Sequence, residues 1–273
     1  MKKILLLIAM IGVLMGIISC SNDDEPRNRS VATVTYPMFN HMARGDNVIG
    51  MATTQNKLVL DTAKHIATLE LSYNDGHGDK QLKLEDIIAT PKRLNFYELS
   101  SPSNSSFKGY ADFNELSFRY SYTTADGIRV ISMTPEVFFR NLVSTITYDD
   151  TTKTTVDKRP WYQFTIDANN GTAIIDVMDI LHAKDLKQFI NITASNVPFT
   201  VTANGFTINA TNLKTTATYY SYVDSTGTDK ATTNKYPFQT FNATVDLAND
   251  HLDANYMISS SATVVASGKT YPD

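Results

Sequence analysis

A disulfide is beyond this chain, because its 273 residues contain a single cysteine, Cys20. The same scarcity excludes a cysteine-based zinc module. Histidine is also sparse: His41, His65, His77, His182 and His251 include no pair at helical metal spacing. No G-x-S-x-G elbow, P-loop, G-x-G-x-x-G turn or H-E-x-x-H helix occurs. No catalytic residue, metal ligand or cofactor site is therefore assigned. Basic residues are no more than acidic ones, 24 against 28, and form no stripe. Nucleic acid, whose binding needs clustered Lys and Arg, is excluded as a partner. Long apolar runs are missing after Ile18. The run Ile4–Ile18 is itself shorter than the roughly 20 residues that span a bilayer.

What the amino terminus does have is an ordered signal. Lys2 and Lys3 precede the apolar run, the order of a secretory leader. Ile17-Ile18-Ser19-Cys20 resembles the lipobox of bacterial lipoproteins, in which cleavage before the cysteine is coupled to acylation of its sulfur. Residues 1–19 are thus expected to be a signal peptide and Cys20 the lipidation site, with the membrane as partner through the acyl chains. One chain holds weakly and several hold durably, at about 0.8 kcal/mol per buried methylene. Loss of Lys2 and Lys3 leaves 22 basic against 28 acidic residues, a formal charge of −6. Ser21-Asn22-Asp23-Asp24-Glu25 resembles the acidic surface-export signal of Bacteroidetes lipoproteins. The resemblance implies an outer-membrane location facing the cell exterior. Residues 20–35 read as a polar tether without periodicity.

The remainder is rich in Thr, Tyr, Asn, Val, Ile and Phe, a composition that favours strands. In "NELSFRYSY" (114–122), Leu116, Phe118, Tyr120 and Tyr122 alternate with polar residues, the period of a half-buried strand. "PFTVTANGFTINA" (198–210) reads as a hairpin around Asn204-Gly205 in a type I′ turn, pairing Ala203 with Phe206, Thr202 with Thr207 and Val201 with Ile208. One helix is expected at 135–146: Thr134 caps it, Pro135 suits its first turn, and Phe138, Phe139, Leu142 and Val143 form its apolar stripe. A shorter one is expected within 179–190.

These elements divide into a first β-rich domain at 36–148, a linker at 149–160 and a second β-rich domain at 161–273. "LVLDTAKHIATLELS" (58–72) aligns without a gap on "FTIDANNGTAIIDVM" (164–178), with Asp61 over Asp167 and Glu70 over Asp176. "ELSFRY" (115–120) aligns on "HLDANY" (251–256). A divergent tandem repeat follows from these alignments, with an insertion in the second copy within 203–240. The expected fold class is mainly β, an antiparallel sandwich or calycin-like barrel units.

Candidate ligand contacts are the aromatics of "PWYQF" and "YYSYV": Trp161, Tyr162, Tyr219, Tyr220 and Tyr222. The alternating pattern puts half of each run in the core. "NDGHGD" (74–79) reads as a polar loop tip rather than a cation loop, because its spacing is not that of an EF-hand. Thr62, Thr151 and Ser225 stand in Asp-Ser/Thr tripeptides that resemble the O-glycosylation signal of Bacteroidetes exported proteins. Together with "FTID…TAIIDV…NVPFTVTANGFTI…VDL…HLDANY", the leader makes the chain similar to β-rich lipoproteins of gut Bacteroidetes, some with calycin-like barrels. That resemblance implies location and architecture and no activity. The function expected is a lipid-anchored, non-catalytic surface module that binds a glycan or a protein. A lipocalin-like carrier needs an apolar cavity inside a barrel, and a glycoside hydrolase needs paired carboxylates such as Asp61/Asp167 or Glu70/Asp176 in an open cleft.

Overall fold

A computed structural model describes residues 31–74, 77–148, 154–181, 188–221, 230–233, 236–259 and 262–269. Its described elements are all strands. The first eight are β1 (Val31–Arg44), β2 (Asn47–Asp61), β3 (Ile66–Asn74), β4 (Asp79–Arg93), β5 (Phe96–Ser100), β6 (Lys108–Asp112), β7 (Ser117–Thr123) and β8 (Arg129–Met133). Each pairs antiparallel with the next, and β8 returns to β1 to close a barrel. The register can be followed once around, from Val31 through Asp61, Ile66, Ile88, Ser100, Lys108, Ser121 and Ile131. It comes back to β1 at His41, ten residues beyond its start. Eight strands leave an interior just wide enough for side chains or for one small ligand.

Side chains do fill it. Leu60, Leu69, Ile87, Leu99, Phe118 and Tyr120 are each 0–1% exposed, so no water-sized space adjoins them. The apolar pocket that a lipocalin-like carrier requires is occupied by the protein itself. On one side the barrel wall is completed by side chains. β2 pairs with β3 only between Lys57/Glu70 and Asp61/Ile66. Beyond that stretch, the Ser72 N–H donates to Asn56 Oδ1 (3.0 Å), and the Ser72 carbonyl accepts from Asn40 Nδ2 (2.8 Å) and Thr54 Oγ1 (2.6 Å). Buried backbone groups need such partners wherever the ladder stops.

The other strands are β9 (Glu136–Phe139), β10 (Asn141–Tyr148), β11 (Thr154–Asp157), β12 (Trp161–Asp167), β13 (Thr172–Leu181), β14 (Gln188–Pro198), β15 (Thr200–Thr202), β16 (Gly205–Leu213), β17 (Thr216–Ser221), β18 (Lys230–Thr233), β19 (Phe238–Asp246), β20 (His251–Ile258) and β21 (Ala262–Lys269). They form a seven-stranded sheet, β11-β10-β21-β20-β19-β16-β15, and a six-stranded sheet, β18-β17-β14-β13-β12-β9. The inner faces share one core that includes Phe164, Ile175, Phe206, Phe241 and Tyr256. The barrel therefore ends at Met133, and β9 and β10 already belong to the sandwich.

The helix expected at 135–146 is not formed. Two strands stand there, and the chain crosses from one sheet to the other at Arg140. Val137 and Phe139, then Leu142, Ser144, Ile146 and Tyr148, are buried alternately. A period of two underlay the apparent helical stripe, and Val, Thr and Ile suit it better. The shorter helix is also absent from the described part of its span: β13 runs to Leu181 and β14 starts at Gln188, while 182–187 lie outside the described residues.

The two regions close differently, one as a barrel and one as a sandwich. The aligned segments share a turn. Asp61, Asp112, Asp167 and Asp246 each open a four-residue connection that ends on a left-handed residue: His65 (φ 56°), Leu116 (51°), Gly171 (64°) and Asp250 (58°). In each, the aspartate Oδ1 accepts a backbone N–H inside the turn, from Lys64 (3.0 Å), Asn114 (3.0 Å), Asn170 (3.1 Å) and Asn249 (2.9 Å). This is local aspartate turn chemistry. Aligned on the turns, Ser117 corresponds to His251, two residues away from the sequence alignment that set Leu116 over Leu252.

The hairpin at Asn204-Gly205 is shifted by one residue. Thr202 pairs with Gly205, Val201 with Phe206 and Thr200 with Thr207, so the loop is Ala203-Asn204. Neither loop residue has positive φ, and the turn is not type I′.

Two tyrosines bridge the sandwich core. The Tyr162 and Tyr256 hydroxyls are 2.8 Å apart, and Ser144 Oγ lies 3.5 Å from Tyr162. Tyr162, expected as a ligand contact, is fully buried. Burial pushes its hydroxyl up to about 12 and the Tyr256 hydroxyl well above its ordinary value. The pair's stabilisation is thus fully present below pH 10.0, the ordinary tyrosine value, and is lost as pH rises through the raised values. Tyr162→Phe orphans the Tyr256 hydroxyl and is expected to cost about 1–2 kcal/mol. Tyr256→Phe leaves Tyr162 its serine and costs less. Urea midpoints of the two variants should rank in that order.

Candidate functional site

The outward face of the seven-stranded sheet carries an ordered polar surface. Asn209, Asn242 and Asn255 lie side by side on β16, β19 and β20, and the row ends on Val265 of β21. One step along the strands, Thr207, Thr244, Asp253 and Ser267 make a second row. These eight residues line a shallow depression of about 280 Å³. The sequence folds this way because β16, β19 and β20 alternate along this stretch, as in "FNATVD", whose Phe241, Ala243 and Val245 point inward. Behind the depression, Ala243, Ala254 and Ala266 are in register. Three small side chains therefore lie under the sheet there.

Each amide offers a donor and an acceptor, and each hydroxyl offers both. Neighbouring strands lie about 4.8 Å apart, so the amides repeat at that spacing. His251, Asp253 and Ser267 sit at the edge of this surface. His251 Nε2 is 3.2 Å from Asp253 Oδ1 and 3.1 Å from Ser267 Oγ. Both contacts use one nitrogen. A nucleophile relay needs the acid on the other ring nitrogen, so this trio is not one.

No family model matches this chain, and no curated protein matches its sequence. Among solved structures, the crystal structure of the isotype 1 transferrin-binding protein B from serogroup B Neisseria meningitidis is similar. The likeness covers 89% of this chain and 78% of that one, at 9% identity and a TM-score of 0.24.

Of the expected aromatics, Trp161 and Tyr162 point to opposite faces of their strand. Trp161 lies half-buried on the outer face of the six-stranded sheet, 6.4 Å from Phe138, with the Arg140 guanidinium 5.4 Å over its ring. Tyr162, next along the strand, faces the core. Tyr219 and Tyr220 belong to β17, and Tyr222 lies outside the described residues. Thr62 stands half-buried in the turn after Asp61, whereas Cys20, Thr151 and Ser225 lie outside the described residues.

The paired carboxylates have local partners instead of a shared cleft. Asp61 and Asp167 cap turns of the barrel and the sandwich respectively. The Lys64 backbone N–H holds the Asp61 carboxyl below its ordinary value, and the Asn170 side-chain amide does the same for Asp167. Glu70 pairs with Lys57 at 3.5 Å, and Asp176 accepts from Thr193 Oγ1 at 2.5 Å. Burial raises the Asp176 carboxyl. Asn74 Nδ2 donates to Asp79 Oδ1 at 3.0 Å across the β3–β4 connection, where Asp75 and Gly76 lie outside the described residues. Among the described residues, no three His, Cys, Asp or Glu side chains gather as a metal site.

The asparagine row was missed in sequence because each amide is one ordinary polar position of a separate strand. The signal was present in the alternation of "FTINATN", "FNATVD" and "HLDANY". Only the register of β16, β19 and β20 aligns the three amides.

Proposed function

We propose that this protein is a non-catalytic binding module, lipid-anchored at Cys20 on the outer membrane and facing the cell exterior, whose ligand is a glycan. The amino-terminal resemblance to Bacteroidetes lipoproteins supports the location. The in-register row Asn209–Asn242–Asn255 carries the ligand class. A sugar presents adjacent hydroxyls that both donate and accept, and closely spaced amides answer them without a net charge. Val265 supplies an apolar contact at the end of the row, and Asp253 an acceptor beside it.

The test is a glycan array followed by titration of the best ligand. Asn242→Ala and Asn255→Ala should each weaken binding about tenfold, the worth of one to two hydrogen bonds. Both side chains are exposed, so the urea midpoint should stay in place. Unchanged affinity in both variants, or binding of protein ligands alone, overturns the glycan assignment.

A further inference from the structure

We infer that one end of the barrel seats on the lipid surface, with the β4–β5 tip as its deepest point. This inference rests on the lipid-anchored reading above. In an up-and-down barrel, alternate connections share an end. The start of β1 at Val31 therefore lies at the same end as the β2–β3, β4–β5 and β6–β7 connections. Cys20 precedes Val31 by eleven residues, a reach of at most about 40 Å. The chain enters the barrel at this end. To bring the opposite end to the bilayer it would have to run back along the whole wall.

The same end carries most of the barrel's exposed large hydrophobic side chains, whereas Val48, 41% exposed, lies at the β1–β2 turn of the other end. Leu94, at the β4–β5 tip, is 83% exposed, the most of any large hydrophobic residue described. The β6–β7 connection is hydrogen-bonded to this tip, Asn114 Nδ2 donating to the Leu94 carbonyl at 2.8 Å, and its Leu116 is exposed, as is Val31 at the start of β1. Ile66 and Ile88 pair directly on the outer wall above, both exposed. Phe96 and Tyr110 stack on that wall with centroids 5.7 Å apart, and the Arg93 guanidinium lies 4.9 Å over Phe96. Apolar tips under half-buried aromatics are what an interfacial contact requires, since aromatic rings prefer the headgroup level.

Charge does not drive this contact. Lys92 pairs with Glu98 at 2.6 Å, Arg93 with Asp112 at 2.8 Å and Lys64 with Asp61 at 3.4 Å. The described cations of this end thus have carboxylate partners, and a seating made by its apolar side chains should survive high salt.

Because Cys20 is the sole thiol, one engineered cysteine can be labelled cleanly. Residues 20–273 with Cys20→Ser and an amino-terminal hexahistidine are held on nickel-chelating lipid in vesicles of phosphatidylcholine and phosphatidylglycerol. An environment-sensitive dye is placed by Leu94→Cys, by Leu116→Cys, or by Ile174→Cys on the exposed face of the six-stranded sheet. The labels at 94 and 116 should shift to the blue and be quenched by nitroxide lipid, at low and high salt alike, and the label at 174 should do neither. Labels at 94 and 116 that behave like the one at 174, or a shift lost in high salt, overturn the inference. The tether is imposed in this experiment, so its outcome is independent of native acylation. Mass spectrometry of Cys20 in membrane-extracted protein reports separately on the anchor.

Discussion

Gly205→Ala is expected to destabilise this protein by about 4 kcal/mol, near the upper end for a point substitution. A Cβ on Gly205 would meet the Val245 carbonyl oxygen at 2.1 Å and the Leu247 nitrogen at 3.0 Å, both backbone atoms. Backbone cannot swing aside as a side-chain end can, so β16 and β19 must separate at this point. The damage would spread from there. Leu247 N and Ala248 N both donate to the Asn204 carbonyl, which ties the two turns together. Gly45 provides the contrast. Its φ is +58°, but a Cβ there meets nothing within 4 Å. Gly45→Ala should cost only about 1 kcal/mol, the strain of a left-handed alanine. Urea denaturation of the two variants would separate close approach from backbone conformation as the reason for a glycine. Equal midpoints would refute the assignment for Gly205.

The second large effect lies where the barrel meets the sandwich. Arg119, on β7, forms an ion pair with Asp250 and donates to the Leu247 carbonyl. Nearby, Arg129 donates to the Ala203 carbonyl (2.6 Å) and to Asn204 Oδ1 (2.8 Å). His41 Nε2 lies 2.6 Å from the Thr202 carbonyl, and burial lowers the ring's pKa, so the neutral ring donates this bond. Phe39, Ile131 and Met133 of the barrel wall enter the sandwich core beneath these contacts.

Arg119→Met preserves the packed stem and removes the charge. Breaking a buried pair typically costs 3–5 kcal/mol, mostly because the abandoned charge stays buried. The Arg119 side chain is 9% exposed, but Asp250 is 36% exposed and recovers some water. The expected loss is therefore about 2–3 kcal/mol. It should appear as earlier unfolding and as a denaturation curve that splits into two phases, barrel and sandwich no longer melting together. A single transition at the wild-type midpoint would show that Arg119 does not couple them.

Strand character was legible where apolar and polar residues alternate without a competing helical stripe. "WYQFTID" alternates without interruption and buries the expected face; in "SFRYSYT" Phe118, Tyr120 and Tyr122 are buried as expected, but Leu116 stands exposed in the preceding turn and Ser117 and Arg119 are buried as well. The segment 135–146 was misread because adjacent Phe138 and Phe139, followed by Leu142 and Val143, satisfy a helical stripe. No local rule says that Arg140 is where the chain changes sheets. The hairpin at Asn204-Gly205 shows the same limit at finer scale. Asn-Gly suits positive φ, yet this glycine is required by a carbonyl on a strand forty residues away. The candidate site was the least legible feature. Aromatic residues drew attention to Trp161 and Tyr162, whereas the polar surface is built from amides that are unremarkable one at a time.

Composition and alternation alone determined that this chain is β-rich, without disulfides, and led by an apolar segment that ends at its one cysteine. These are properties of neighbours in sequence, and short-range chemistry is enough to read them. Tertiary structure alone decided that the first eight strands close on themselves with their interior filled, that the rest stack as two sheets, and that three asparagines stand in one row. Each of those depends on register between distant strands. A shift of one residue there turns every side chain to the opposite face.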